Sequence, residues 1–456
     1  MDASDFVRRE ASDEDCEELL IDIQSDLPPA EWPECCIYRV PKLLRKVNEE
    51  AYTPKLVSIG PLHHGREELR DMEMHKLRYF KDFFQRTTLK KSQKDLASII
   101  EAKEETIRHC YSEDCGLKSK DFVKMILLDA IFIIELFLRL AEDRENDYIP
   151  SKPWLEHGIR YDLIVLENQL PFFVLEDLYK SAILGYSSSL SHRQGDTTFL
   201  ERSLLYFFGN DENKKSKIYG KVKHFTDLLR YSFLPPKMSP QGRNLDHLYS
   251  ATELDEAGLK FKPITDGRSL LDITFPENKF LKYCPCFNLS WLLACLPCLK
   301  CFPCLESMER FLEIPVFEVE DRTEALFRNL MALEQYHYPF QAYICCYVQL
   351  LDFLINTEKD VALLVDKKII LNRLGSNTAV ADLINKLCTE IGVTGSCYSA
   401  LCENINGYRD NPWNRVMASM RSVYFPDFWR GTATVVGLIV LTFTFWGFLR
   451  PYLKKN

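Results

Sequence analysis

The feature that most constrains this chain is a nineteen-residue stretch, Gly431 to Leu449, that carries no charged side chain. As a helix it would extend about 28 Å, close to the ~30 Å thickness of a bilayer's hydrocarbon. Ten of its residues are Val, Leu, Ile or Phe, and three Gly and four Thr partly offset their favourable transfer into lipid. Basic residues flank it, with Arg430 before and Arg450 after. We therefore expect a transmembrane anchor over residues 427–450.

This anchor would make membrane lipid the first partner of the chain. The residues assigned to it are Gly431, Val435, Val436, Leu438, Ile439, Val440, Leu441, Phe443, Phe445, Trp446, Phe448 and Leu449. No secretory signal precedes it and seven residues follow it, so such a span would insert after synthesis as a tail anchor. We expect a single-pass membrane protein whose body faces the cytosol.

The net charge of −9 is a property of the N-terminal tail. Residues 1–34 hold twelve acidic and two basic side chains, a net −10, so the other 422 residues sum to +1. We predict an acidic mobile tail over residues 1–33. A body with a net charge of only +1 is not expected to bind nucleic acid. One basic cluster is interpreted as a solvated loop, namely Lys214, Lys215, Lys217, Lys221 and Lys223.

Apolar residues at helical spacing predict a mainly helical body, one large domain over residues 34–426. Helices are predicted over residues 66–86, 121–140, 161–170, 324–335, 342–355 and 378–387. The apolar face predicted for the first of these contains Leu69, Met72, Leu77, Phe80 and Phe84. Strand patterns are confined to residues 36–41, 56–60 and 314–320.

Two smaller features complete the local predictions. Gly375 suits a helix C-cap, and Asn377 suits the N-cap of the following helix. Residues 181–220 are rich in Ser, Asn, Gly and Lys and are predicted to form a mobile connection.

A cysteine-rich segment interrupts the body at residues 278–308. Its cysteines are Cys284, Cys286, Cys295, Cys298, Cys301 and Cys304. Palmitoylation at a membrane surface, an apolar insertion that is packed or disordered, a metal or iron–sulfur loop over the last four, and disulfides all remain open. The sixteen cysteines of the chain suit a reducing compartment, where a free thiol packs as a small hydrophobe.

Motifs for catalysis are missing. The chain has no phosphate-binding loop, strand-linked dinucleotide fingerprint, nucleophile elbow or zincin helix, so we predict no catalytic residue and no cofactor. The imidazoles of His63, His64 and His75, near Glu73, could meet a metal ion if their loop folded back. The favoured interpretation is a turn at residues 60–61 followed by polar residues that fix the next helix.

Carboxylates within apolar segments form a second polar set. Asp129 and Glu135 lie six residues apart and therefore on different faces of a helix, and Glu135 can pair with Arg139. Glu167 is followed by two amides, Asn168 and Gln169. Because buried acids need partners, we expect a structural hydrogen-bond network here, with a catalytic pair or a ligand pocket as the alternatives.

Eight segments, in order, resemble a known plant family. They are CIYRVP (36–41), YTPKLVSIGPLHHG (52–65), MEMHK (72–76), LLDAIFIIELF (127–137), YDLIVLENQLPFFVLE (161–176), ATELDEAGLKFK (251–262), LEIP (312–315) and DRTEALFRNLMALEQ (321–335). The family is "domain of unknown function 247", also called uncharacterised protein family 0481. The resemblance implies a plant source, a single mostly helical domain, a C-terminal membrane helix and no accepted enzyme activity.

Some grass relatives are associated with pollen–stigma self-incompatibility, which implies recognition or signalling. The chain departs from the family pattern at residues 278–308, which read as an insertion, and at Ala130, where relatives commonly carry Gly. We therefore expect a membrane-anchored, non-enzymatic module that binds an unknown protein. The alternatives are a metal-dependent, hydrolase-like enzyme centred on His63, His64 and His75, and a metal or iron–sulfur protein built on the cysteine-rich segment.

Overall fold

A computed structural model describes most of the body of the chain. The described residues are 29–86, 92–142, 147–183, 197–209, 220–237, 242–276, 309–424 and 428–453. This part is mainly helical with a few short strands, as the sequence predicts. Most of the predicted acidic tail and the whole cysteine-rich segment lie outside the described residues, and so do the hypotheses for Cys284, Cys286, Cys295, Cys298, Cys301 and Cys304.

The helices are numbered here in chain order. They are α1 Lys42–Val47, α2 Arg70–Arg86, α3 Gln93–Glu101, α4 Glu104–His109, α5 Ser119–Glu142, α6 Pro153–Asp162, α7 Phe172–Ile183, α8 Phe199–Phe208, α9 Phe225–Phe233, α10 Ala251–Glu256, α11 Thr323–His337, α12 Tyr343–Leu354, α13 Glu358–Asp366, α14 Asn377–Leu387, α15 Ser399–Asp410, α16 Pro412–Tyr424 and α17 Phe428–Leu453. Short 3-10 helices lie at Glu49–Tyr52 and Glu67–Leu69.

The strands form two parallel pairs. Strand β1, Leu259–Ile264, pairs with β2, Arg310–Pro315, and β3, Phe317–Val319, pairs with β4, Ile370–Asn372. The strand predicted over residues 314–320 is therefore the end of β2 followed by β3. The strand predictions for residues 36–41 and 56–60 were wrong in part. Residues 36–41 contribute a single β-bridge, and residues 56–60 form no regular strand.

Two large hydrophobic cores hold these elements. The first surrounds α5, whose residues Phe122 to Phe137 are almost all buried. The second joins β1 and β2 to the helices α11 and α12. At about 25 cal/mol per Å² of buried apolar surface, such cores are the main source of stability.

The inward face of α2 differs from the predicted one. Met72, Tyr79 and Phe83 are buried, whereas Leu77 is 47% exposed. The helix is turned so that the ammonium of Lys76 lies 2.7 Å from the Asp129 carboxylate on α5. Apolar periodicity alone could not show that a lysine belongs to the buried face.

The helix predicted over residues 161–170 was wrong. Helix α6 ends at Asp162, and turns follow it. The physical reason is competition for the backbone. Side chains of this segment bind main-chain groups that a helix would otherwise use, and these contacts are described below.

Helix α8 lies within the predicted connection over residues 181–220, much of which is outside the described residues, and its N-terminus carries a capping box between Thr198 and Glu201. The predicted helix caps need correction. Gly375 has φ of +80°, but it follows β4 and does not end a helix. The N-cap of α14 is Ser376, whose hydroxyl accepts from the Ala379 N–H, and Asn377 is the first helical residue.

The predicted transmembrane anchor was wrong. The nineteen uncharged residues lie in α17, but no helix among the described residues has the length and apolarity that crossing a bilayer requires. Seven of the nineteen are Gly or Thr, and the hydroxyls of Thr434, Thr442 and Thr444 bond to carbonyls four residues earlier. Because this prediction was wrong, the predicted single-pass, tail-anchored topology and the predicted binding of membrane lipid are wrong as well.

Cysteines in the described ranges are free thiols. Cys35, Cys36, Cys345, Cys346 and Cys402 are buried among apolar neighbours. In this part of the chain the thiols pack as small hydrophobes, as the sequence predicts.

Candidate functional site

Glu167 lies at the centre of a buried polar cluster that joins three separate segments. Its Oε1 accepts from the Val40 N–H at 2.8 Å and from the Arg45 guanidinium. Its Oε2 lies 3.5 Å from Arg39 Nη1. Burial alone would raise the pKa of Glu167, but the contacts with His63 and Arg45 hold it below the usual range. The carboxylate is therefore ionised and ties the N-terminal segment to the body.

His63 faces this carboxylate, with Nε2 3.1 Å from Glu167 Oε2 and a side chain that is fully buried. The other ring nitrogen, Nδ1, has no hydrogen-bond partner in the described structure, and the Nε2 contact contributes to lowering the pKa of Glu167. Burial lowers the pKa of His63 more than the nearby carboxylate raises it. The ring is therefore neutral near pH 7, and Glu167 is balanced mainly by Arg45.

The two amides after Glu167 bind two other loops. Asn168 accepts from the Ile59 N–H at 2.7 Å and donates to the carbonyls of Val57 and Asp162. Gln169 donates to the carbonyls of Leu163 and Val165 and accepts from the Phe225 N–H at 2.9 Å. The three consecutive side chains thus complete the network that the sequence predicts.

Asp162 closes the same loop from the end of α6. Its carboxylate accepts three backbone N–H groups, from Lys55 at 2.9 Å, Leu56 at 2.6 Å and Val57 at 2.8 Å. Burial raises the pKa of Asp162 to about 6 in spite of these bonds. Residues 56–60 are therefore held by side chains in place of a sheet ladder.

Asp129 and Gly60 complete the junction. Asp129 accepts from the Gly60 N–H at 2.9 Å and pairs with Lys76, whose ammonium also lies 2.5 Å from Glu73. Burial opposes the charge of Lys76, but these two carboxylates raise its pKa above the usual range. Gly60 has φ of +71°, and a Cβ there would lie 2.5 Å from the Gln169 carbonyl oxygen. Glycine is required for the two loops to meet.

The predicted histidine candidates do not converge. His63 faces Glu167, His64 is exposed, and His75 stacks on Tyr148 with ring centroids 4.6 Å apart. Among the described residues, no group of three or more His, Cys, Asp and Glu side chains is arranged to hold a metal ion. Glu135 pairs with Arg139, as the i,i+4 spacing predicts.

A second buried network, which sequence reasoning missed, lies between α9 and α11. Arg230 donates to Glu334 at 2.9 Å and to the Gln341 carbonyl at 2.6 Å. The other oxygen of Glu334 accepts the N–H groups of Ile344 and Cys345 at the start of α12. The sequence offered one signal for this network, which was the acidic side chain of Glu334 among the apolar residues of α11.

His224 at the N-cap of α9 was missed as well. One ring nitrogen, Nε2, lies 2.9 Å from the Cys36 carbonyl oxygen, and Nδ1 accepts from the Asp227 N–H at 3.4 Å. Burial lowers the pKa of His224 to about 3. A neutral ring with one donor and one acceptor is the form that satisfies both contacts.

An open groove lies beside this buried framework, and we call it the junction groove. It consists of a cleft of about 480 Å³ along α6 and α11 and a cleft of about 840 Å³ at the ends of β1 and β2. Tyr161, Arg322 and Leu326 line both clefts. The Arg322 guanidinium lies 4.1 Å from the Tyr161 ring centroid, and the Tyr161 hydroxyl donates to Glu320 at 2.9 Å.

The lining of the groove combines an apolar floor with charged rims. Half-buried Phe233 and Leu326 form part of the floor, and Trp154, 63% exposed, stands at the mouth of the smaller cleft. Asp162 lines this cleft too, but its carboxylate already accepts three N–H groups. The groove therefore offers apolar surface and exposed charge.

Comparison with known proteins agrees with the resemblance seen in the sequence. The family DUF247, described as a plant protein of unknown function, matches residues 37–443. The chain belongs to this family. No solved structure matches this one.

Two Arabidopsis thaliana proteins illustrate the relationship to DUF247. UPF0481 protein At3g47200 is 29% identical over 446 residues, covering 90% of this chain and 84% of the relative. Putative UPF0481 protein At3g02645 is 22% identical over 499 residues, covering 89% and 88%. Neither name gives an activity, so membership of DUF247 leaves the biochemical function open.

Proposed function

We propose that this DUF247 chain is a non-enzymatic protein-recognition module that binds a partner protein in the junction groove. One observation carries the proposal. The buried carboxylates Asp162, Glu167 and Glu334 accept backbone N–H groups and hold loops together, whereas the open groove presents apolar and charged side chains. Groups used in this way support architecture, and the surface that remains open suits binding.

The composition of the groove supports a protein as the occupant. Protein interfaces combine a buried apolar centre with a charged rim, and aromatic and arginine side chains are enriched in them. The junction groove has this composition, with Phe233 and Tyr161 beside Arg322. The two clefts, of about 480 and 840 Å³, share Tyr161, Arg322 and Leu326, so the groove offers an extended surface along which a segment of a protein can lie.

The test uses two matched leucine variants in proximity labelling from the full chain. Leu371 lines the groove and is 42% exposed, whereas Leu205 on α8 lies outside it and is 43% exposed. We expect the proteins labelled by the unaltered chain to be lost with Leu371→Asp and retained with Leu205→Asp. Thermal unfolding of both variants checks that the fold persists.

Two results would contradict the proposal. One is labelling by the unaltered chain that does not exceed the background of an unfused labelling enzyme. The other is an identical set of labelled proteins from both folded variants.

A further inference from the structure

We propose that the strand side of the junction groove, near Glu318, binds an extended peptide segment of the partner, which adds a strand to β3. This inference rests on the proposed function and names the chemistry of the occupant. It derives from the register of the two parallel strand pairs.

Backbone groups along β2 and β3 point alternately to opposite sides. Val316 N–H bonds to the Ile264 carbonyl of β1, and the next group, Phe317 N–H, bonds to the Ile369 carbonyl beside β4. Val319 also faces β4, because its carbonyl accepts the Arg373 N–H at 2.9 Å. In a parallel ladder a residue directs both its N–H and its C=O to the same side, and its neighbours direct theirs to the other.

Glu318 lies between Phe317 and Val319, so its N–H and C=O point away from β4, toward the side that β1 occupies along β2. The strand β1 stops at Ile264 before reaching Glu318. Among the described residues, no backbone group pairs with either group of Glu318.

Immediately after β1 ends, the chain turns away from the direction of that strand. Gly267 has φ of +77°, and the Asp266 carboxylate accepts from the N–H of Arg268 at 3.2 Å. The larger cleft of the junction groove lies where a continuation of β1 would run. It is bounded by Ile264, Thr265, Gly267 and Arg268 on one side and by Val316 and Glu318 on the other.

The cleft therefore has the parts that strand addition needs. The N–H and C=O of Glu318, which have no backbone partner in the described part of the chain, supply main-chain hydrogen bonds, and adjacent apolar surface receives alternate side chains of the bound segment. Phe233 and Leu326 provide that surface. Glu320 ends the edge, because its N–H is bonded to the Thr323 hydroxyl at 2.9 Å.

Charge on the rim indicates the composition of the segment. Arg268, Arg322 and Lys368 line the cleft beside Glu318 and Glu320, but Glu318 pairs with Arg373 and Arg268 pairs with Asp266. Arg322 and Lys368 then outnumber Glu320, and this positive balance favours an acidic side chain in the partner. The occupant is thus an extended peptide with alternating apolar residues and at least one acid.

The test selects binders to the full chain from a displayed library of random ten-residue peptides. Affinity of the best peptide is then measured for Glu318→Pro, which removes the N–H, and for Glu318→Ala, which keeps it. Both variants lose the Glu318–Arg373 ion pair, so they are matched. Proline is tolerated on an edge whose N–H is outside the ladder, and the β3–β4 bonds use Phe317 and Val319.

We expect Glu318→Pro to weaken peptide binding about tenfold and Glu318→Ala less than about threefold, because one hydrogen bond is lost and its acceptor stays unpaired. Hydrogen exchange gives a second readout without any substitution. The Glu318 amide should exchange rapidly in the free chain and slow at least tenfold with bound peptide, whereas the Phe317 amide is slow in both.

The outcomes separate this inference from the proposed function. Equal peptide affinity in the two variants, no protection of the Glu318 amide, or no selected peptide would overturn strand addition. If partner labelling still depended on Leu371, the recognition role would stand and only the binding mode would fall.

Discussion

Arg230 and Glu334 form an ion pair at 2.9 Å with both side chains almost fully buried. Glu334 also accepts the N–H groups of Ile344 and Cys345 in the first turn of α12, so the pair fixes the start of that helix. Removing one partner of a buried pair leaves an uncompensated charge, which costs about 3–5 kcal/mol.

We therefore predict that Glu334→Ala lowers the free energy of unfolding by about 3–5 kcal/mol in urea titrations. Glu50→Ala is the control, because the Glu50–Lys55 pair is exposed and should contribute at most about 1 kcal/mol. Equal losses in the two variants would refute a dominant role for the buried pair.

The pH dependence of stability should report on His224. Its pKa is about 3 in the folded chain and ~6.5 when unfolded, so below pH ~6.5 only the unfolded state takes up the proton. Stability from this group is complete above that pH and is lost at up to about 1.4 kcal/mol per unit as the pH falls toward 3.

His224→Asn keeps an N-cap but removes the titration. We expect its unfolding free energy to fall less steeply than that of the unaltered chain between pH 6.5 and 4. Other groups, including Asp162, which acts in the opposite direction between pH ~3.8 and about 6, are common to both chains and cancel. Parallel stability curves would show that His224 is not the group responsible.

Two glycines with similar backbone angles test the meeting of the loops. Gly60 and Gly65 have φ of +71° and +76°, but only at Gly60 would a Cβ overlap a neighbour. We predict that Gly60→Ala costs about 3 kcal/mol and Gly65→Ala about 1 kcal/mol, measured by chemical unfolding. A cost at Gly65 as large as that at Gly60 would mean that backbone strain alone decides both.

Asp162 should hold the backbone of residues 55–57 in its observed conformation. Its loss would leave three N–H groups without their acceptor, so Asp162→Ala is expected to cost about 3 kcal/mol and to speed exchange of the Leu56 and Val57 amides. Exposed Asp321, in the same cleft, is the control, and Asp321→Ala should change stability by less than about 0.5 kcal/mol. Unchanged exchange in Asp162→Ala would argue against this account.

Much of the helical framework could be predicted from the sequence. The apolar periods placed α5, α11, α12 and α14 within a few residues of their observed bounds, because each helix buries an apolar face. The need of buried acids for partners likewise predicted the network of Glu167, Asn168 and Gln169. The uncharged run of α17 predicted a bilayer span and was wrong, because absence of charge is not by itself sufficient apolarity.

By itself the sequence determined the most strongly apolar helices, such as α5 and α12, and that buried polar residues must find partners, since local periodicity and desolvation act wherever the chain goes. Only the tertiary structure decided which partners these are. His224 meets Cys36 across 188 positions, and Arg230 meets Glu334 across 104. The open edge at Glu318 depends on where β1 stops beside a strand that is distant in sequence. Such pairings follow from the packing of two cores, which no local pattern encodes.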